Sequence, residues 1–337
     1  MAVTLHDVAR VAGVSIKTVS NVINNFEHIR PATRAKVLLA IDELGYRPNL
    51  SARSLRSGRS GVIGLVVPEF SLSYFAELAD AVIKAAERHG QVVQIEQTNG
   101  DRARELEVLS SPRIQFSDGV LFSPLGMSND DADALTVPYP LVLLGERIFG
   151  GPVDHVTMRN VEAARAATEH LIATGRRRIA VVGAHEGEII GSAGLRLRGY
   201  REALEAAGIP FDPDIIVNTT LWHRSNGATA MRELLATGAQ FDAVFGLNDT
   251  LALGAMRALQ EAGLRVPHDV AVIGFDDLDE ARYSLPTLTT VDPGRTEIAE
   301  TAVRVLLERI QGAQPDAAPV EYLANFSIVE RESTAIS

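Results

Sequence analysis

Apolar residues recur at helical spacing over the first forty-five positions and in solid runs thereafter. Leu5, Val8, Ala9 and Ala12 fall on one side of a first predicted helix. Thr4 stands as its N-cap, Asp7 is the acidic half of a capping box, and Gly13 offers the left-handed stop. Ser15 caps a second helix on which Val19, Val22, Ile23 and Phe26 share a face. A third, roughly Thr33 to Leu44, presents Val37, Leu38, Ile41 and Leu44 and ends at Gly45-Tyr46-Arg47-Pro48. Two short helices around a tight turn, closed by a third, read as a three-helix helix-turn-helix unit.

From Val62 the pattern changes. Val62-Ile63-Gly64-Leu65-Val66-Val67 is near-continuously apolar, as a parallel strand buried on both faces requires. A helical pattern follows (Phe75, Leu78, Ala79, Val82, Ile83, Ala86), then strands at 91–95, 119–122 and 141–144. The alternation restarts after about Arg159, with strands at 179–182, 215–217, 243–246 and 270–273. Strand–helix alternation implies α/β architecture with doubly wound parallel sheets, and the restart implies two of them.

Such sheets bind ligands beyond the strand C-termini. Glu69, Glu146, Asn248-Asp249 and Asp276-Asp277 stand at such ends, and Trp222, the only tryptophan, lies in a predicted loop. Carboxylates and amides suit a polyhydroxylated ligand, and the indole face suits a sugar ring. Each of these residues also fits a helix cap or surface turn, Asp249 most of all.

Composition narrows the function classes. The chain has 337 residues, 46% hydrophobic, and no cysteine. That removes disulfides, thiolate zinc sites, iron–sulfur ligation and cysteine nucleophiles. Residues 1–7 lack a basic and an apolar signal region, and no apolar run approaches 18 residues, so a cytoplasmic protein without membrane association is expected. The net charge of −11 is uneven: residues 1–60 hold nine basic and four acidic side chains, +5, leaving −16 for the rest. A basic head on an acidic body suits docking onto a polyanion, although chance clustering of solvated charges gives the same count. On the outer face of helix two lie Ile16, Lys17, Ser20, Asn21 and Asn24, with no acid anywhere in residues 8–26. Asn pairs bidentately with adenine, Lys reaches guanine acceptors, and Ile packs on a thymine methyl. An ordinary solvated helix face is the alternative.

The string Val3-Thr4-Leu5-His6-Asp7-Val8-Ala9, Ala12-Gly13-Val14-Ser15, Thr18-Val19-Ser20, Thr33-Arg34, Leu44-Gly45-Tyr46 and Pro48-Asn49 resembles the headpiece of the LacI/GalR family of bacterial transcription regulators. The resemblance implies DNA contacts from Thr4, Ser15, Ile16, Lys17, Thr18, Asn21, Asn24, His28 and Arg34. It also implies a hinge helix and linker over 49–60, with Asn49, Ala52 and Leu55 at DNA and Leu55 as a minor-groove wedge. Two turns of helix do not persist alone in water, so that hinge would form only when packed on a partner.

Residues 61–330 resemble the family's two-lobed periplasmic-binding-protein-like domain. This implies effector contacts from Tyr74, Phe75, Arg196, Trp222, Asn248 and Asp276, and by a weaker match Glu146. It implies lobes of 61–158 with 288–318 and 159–287 with 319–330, joined by three crossings. The function expected is a sequence-specific repressor, a homodimer on a near-palindromic operator, controlled by a small carbohydrate or glycoside, with no cofactor and no metal. Pro68-Glu69 departs from the small hydroxyl residues of some sugar-responsive members, and Arg159 stands where an acid is frequent. The run Arg176-Arg177-Arg178 reads as a solvated helix end. Two rivals are a periplasmic sugar-binding protein, which needs a signal peptide, and an enzyme on a doubly wound fold. No Walker, dinucleotide, nucleophile-elbow or zincin motif is present, and Ser192, His185 and Asp276 have no triad-like spacing.

Overall fold

The computed structural model describes residues 3–23, 26, 28–46, 59–312 and 317–335. The chain forms two compact units, 1–60 and 61–337. Among the described residues, no helix is long and apolar enough to cross a membrane.

The first unit holds α1 (Leu5–Ala12), α2 (Ile16–Ile23) and α3 (Pro31–Leu44). The capping box forms: the Asp7 N–H donates to Thr4 Oγ1 at 3.4 Å and the Thr4 N–H to Asp7 Oδ2 at 3.1 Å. Gly13 takes φ +67°, which glycine adopts without strain. Ser15 Oγ accepts the Thr18 N–H at 3.1 Å. Val8, Ala9, Val19, Val22, Val37 and Ala40 form the core.

Two expected core residues lie outside it: Phe26 is 51% and Leu38 52% exposed. Phe26 stands beyond the last residue of α2, so the helical period no longer places it. Along α3, residues 37–41 are all apolar, so spacing alone does not choose among them, and Ala40 takes the inner position. α3 begins earlier than expected, with Pro31 at its first position, where a missing N–H costs nothing. Asn24, Asn49, Ala52 and Leu55, and with them the expected hinge helix, lie outside the described residues.

The second unit opens with β1 (Val62–Val67), α4 (Ser73–Glu87), β2 (Val92–Gln97), α5 (Arg102–Leu109), α6 (Pro112–Gln115), β3 (Gly119–Phe122), β4 (Leu141–Leu144) and β5 (Asp154–Met158). Next come α7 (Asn160–Ala173), β6 (Ile179–Ala184), α8 (Ser192–Ala206), β7 (Ile216–Asn218), α9 (Arg224–Ala236), β8 (Ala243–Gly246), α10 (Asp249–Glu261) and β9 (Ala271–Ile273). α11 (Asp279–Tyr283), β10 (Thr290–Asp292), α12 (Arg295–Ile310), β11 (Glu321–Ala324) and β12 (Ser327–Val329) finish it.

One parallel sheet has the order β11-β5-β4-β3-β1-β2 and the other β7-β6-β8-β9. In each, the chain leaves the first strand for one neighbour and returns on its other side. That reversal opens a crevice at the strand C-termini, and the crevices of the two sheets face each other.

The expected lobe boundary near the C-terminus needs correction. Residues 319–330 do not complete the second lobe: β11 pairs parallel with β5 in the first sheet, in register Glu321 to His155. α12 packs on that sheet and ends near its edge. There Asp154 takes Arg309 Nε at 2.7 Å and the Val320 N–H at 2.9 Å, and so lays the strand alongside. β12 pairs antiparallel with β10 in the crossing ribbon. The second sheet is finished by residues after β12: Ser333 O accepts the Val272 N–H at 3.0 Å.

The arginine run also differs from expectation. Arg176 is buried, donating to Asp242 O at 3.0 Å and Pro267 O at 2.6 Å, so it ties two loops rather than facing water.

Candidate functional site

In the first unit, Thr4, Ser15, Lys17 and His28 are exposed, whereas Thr18, Asn21 and Arg34 are half-buried. Ile16 is half-buried and packs against the core cluster, so only part of its side chain remains for an outside partner. Arg34 donates to Phe26 O at 2.9 Å and pins the segment after α2.

In the second unit, Tyr74, Phe75, Glu146, Arg196, Trp222, Asn248 and Asp276 all line one cavity of about 330 Å³ between the lobes. Residues separated by two hundred positions meet because both sheets aim their C-terminal ends at it.

Arg196, on the first turns of α8, is 3% exposed. Its Nε donates to Asn160 Oδ1 at 2.8 Å, its Nη1 to Leu247 O, and its Nη2 lies 3.7 Å from Asp276 Oδ1. The guanidinium sits 3.6 Å from the Phe275 ring centre and 5.4 Å from that of Trp222. A planar cation with fixed donors is suited to such a position.

Asp276 has φ +118° and Asp277 φ +46°, adjacent non-glycine residues in strained backbone. Distortions of this kind cost about 1–3 kcal/mol each and persist only where surroundings enforce them. Here the Asp276 N–H donates to Val291 O at 2.8 Å, and Arg295 holds Asp276 O at 2.7 Å. Burial pushes the Asp276 carboxyl up to about 7; Arg196 and Arg295 oppose the rise, while Glu146 and Glu77 add to it.

Asp249 does not cap α10. The cap is Asn248, whose Oδ1 accepts the Leu251 N–H at 2.8 Å. Asp249 is instead fully buried, taking the Leu278 N–H at 2.8 Å and the Thr290 hydroxyl at 2.5 Å. Burial, with Asp276 nearby, raises its carboxyl well above the usual range.

Trp222 donates its indole N–H to Gly183 O at 2.9 Å, so the ring faces are what it offers the cavity. Gly183 is required there: its φ is +114°, and a Cβ would lie 2.4 Å from Leu251 Cδ1. Glu146 accepts the Ser192 hydroxyl at 2.8 Å and the Thr157 hydroxyl at 3.3 Å, the first of these across the cleft. Tyr74 and Phe75 meet edge-to-face, with ring centres 5.3 Å apart.

Several lining or supporting residues escaped the sequence reading. Glu188 accepts His185 Nδ1 at 2.8 Å, Arg147 Nη1 at 3.4 Å from the other lobe, and the Ala193 and Gly194 N–H groups at 3.1 and 3.3 Å. Burial raises its carboxyl, but His185, Arg147 and the Gly194 N–H outweigh that and leave it below its ordinary value. Asn160, which orients Arg196, and the Glu69–His223 pair at 3.2 Å across the cleft were also missed. Only the strand-end position of Glu69 signalled any of them. Ser192, His185 and Asp276 each bond a different partner and make no triad.

Comparison with known proteins adds a family. Residues 4–49 match the model of bacterial regulatory proteins of the lacI family, and residues 168–334 a periplasmic binding protein-like domain. The HTH-type transcriptional regulator CelR of Thermobifida fusca is 37% identical over 98% of both chains. A CelR–cellobiose complex superposes with TM-score 0.73 at 33% identity, covering 98% of this chain and 99% of that one. The lac repressor dimer bound to operator and the anti-inducer ONPF gives TM-score 0.84 at 30% identity over the whole of both chains. With a matching head, a matching clamshell and relatives aligned along nearly its full length, the chain belongs to the lacI family of bacterial transcription regulators.

Proposed function

We propose that this chain represses transcription from the cytoplasm as a homodimer on a near-palindromic operator, and that a small neutral carbohydrate or glycoside in the interlobe cavity sets its operator affinity. Catalysis is no part of this reading. The carrying observation is the set of acidic and basic side chains that line the cavity. Glu69, Glu146, Glu188 and Asp276 line it, while its cations are committed, Arg196 to Asp276 and Arg147 to Glu188. A phosphate or carboxylate ligand would meet four acids and, among the described residues that line the cavity, no arginine or lysine outside those two pairs. A neutral polyol gains hydrogen bonds from those acids and apolar cover from Tyr74, Phe75 and Trp222. The CelR–cellobiose relative supports the same class.

The test is calorimetry with a panel of neutral sugars (cellobiose, maltose, glucose, galactose, ribose), followed by gel shifts on selected genomic fragments. At least one sugar is expected to bind and to change operator affinity. Binding of a purine or an amino acid in place of every sugar would overturn the carbohydrate class and leave the regulator intact.

A further inference from the structure

His185 stands in the loop between β6 and α8 and lines the cavity beside Trp222, ring centres 5.7 Å apart at 44°. Its Nδ1 contacts Glu188 Oε2 at 2.8 Å. A carboxylate only accepts, and Glu188 is held ionised by its surroundings, so Nδ1 is the donor. In the neutral ring that leaves Nε2 as an acceptor. Nε2 is buried and has no hydrogen-bond partner among the described residues. A buried polar atom without a partner is costly, so one standing at a ligand cavity points to a partner that arrives with the ligand.

Nor is the ring free to turn away. Glu188 is itself fixed by the N–H groups of Ala193 and Gly194 at the start of α8, and by Arg147 from the opposite lobe. The imidazole is therefore held rigidly by the helix that also carries Arg196, the arrangement a selective contact needs.

We infer that His185 is a specificity-determining residue of the effector site, its Nε2 accepting one hydroxyl of the bound sugar next to the Trp222 face. This rests on the carbohydrate reading above and names a residue within that site.

The experiment is a double-mutant cycle on the full-length protein. Wild type and His185→Ala are titrated with whichever panel sugar binds, and with its monodeoxy analogues, each lacking one hydroxyl. Wild type should lose about tenfold in affinity for one particular deoxy analogue, and His185→Ala should lose about tenfold for the parent sugar. The variant should not distinguish the parent from that analogue. His185→Gln, which keeps an acceptor, should recover part of the selectivity. Operator affinity without sugar should be the same in all three proteins, which shows that they fold.

A merely structural His185 would weaken every analogue equally, and that result overturns the inference while the carbohydrate reading stands. Unchanged affinity in His185→Ala overturns it too. If no sugar binds wild type, the carbohydrate reading fails and the inference falls with it.

Discussion

Asp276 concentrates the tension of this molecule in one side chain. It is buried, its backbone is strained, and its carboxyl is pushed up to about 7. An acid whose folded-state affinity for protons exceeds its unfolded one destabilises the protein as pH rises from the unfolded value near 4 through the folded value near 7. A shift of three units corresponds to about 4 kcal/mol at most. Asp276→Asn is therefore expected to melt higher than wild type at pH 8, with the margin shrinking towards pH 4. Thermal denaturation of both proteins across that range checks it, and a margin independent of pH would contradict it. The same variant should lose its sugar response while keeping operator affinity, since the head lies in the other compact unit. The neighbouring acid Asp249 shows how far a residue type underdetermines its role: sequence position suggests a cap, but burial and the Thr290 hydroxyl make it a buried acceptor instead.

At the scale of elements, changes in α2 and in the expected hinge segment over 49–60 should act on DNA binding. Lys17 is exposed and Ile16 partly so, on the helix that the family match places in its headpiece. A good base contact contributes about 1–3 kcal/mol of discrimination. The double change Ile16→Ala with Lys17→Ala is expected to cut preference for operator over random DNA by tenfold or more in competition gel shifts. Equal preference would remove α2 as the reader. Leu55→Ala should leave the fold and effector binding unchanged but weaken specific binding and reduce the bend, because unstacking a base step without a wedge is no longer offset. Circular-permutation gel shifts measure that bend angle directly, and an unaltered angle would exclude the wedge.

For the whole molecule, the cleft is bridged by side chains from both lobes. Ser192 donates to Glu146 at 2.8 Å, Ser73 to Glu280 at 2.9 Å, and Glu69 lies 3.2 Å from His223. Three crossings joining two lobes have the geometry of a hinge, and a ligand that favours closure would shift the lobes as bodies. A sugar that changes operator affinity must see its own affinity changed by the same factor when operator is bound, typically 5–150-fold. Titrating the sugar with and without saturating operator DNA, and operator with and without saturating sugar, measures both sides of that cycle. A factor of one, with neither ligand altering the affinity of the other, would show that the two sites are not linked.

The sequence by itself determined the parts governed by local rules. The Thr4–Asp7 box, the Gly13 stop and the strand–helix alternation depend on residues a few positions apart, and so they were legible. The seven residues expected to contact an effector came from strand-end position and family resemblance, and all seven line one cavity. Tertiary structure alone decided the rest. The pairing of β11 with β5 follows from where α12 ends and what Asp154 holds, a contact across 155 positions for Arg309. Asn160 as the brace of Arg196, and Glu188 as the hub of a histidine, a helix start and an arginine from the other lobe, rest on distant contacts. Nothing in the neighbours of Asn160 or Glu188 along the chain marks them, because hydrogen bonds between elements depend on the packed distances that only the folded chain sets.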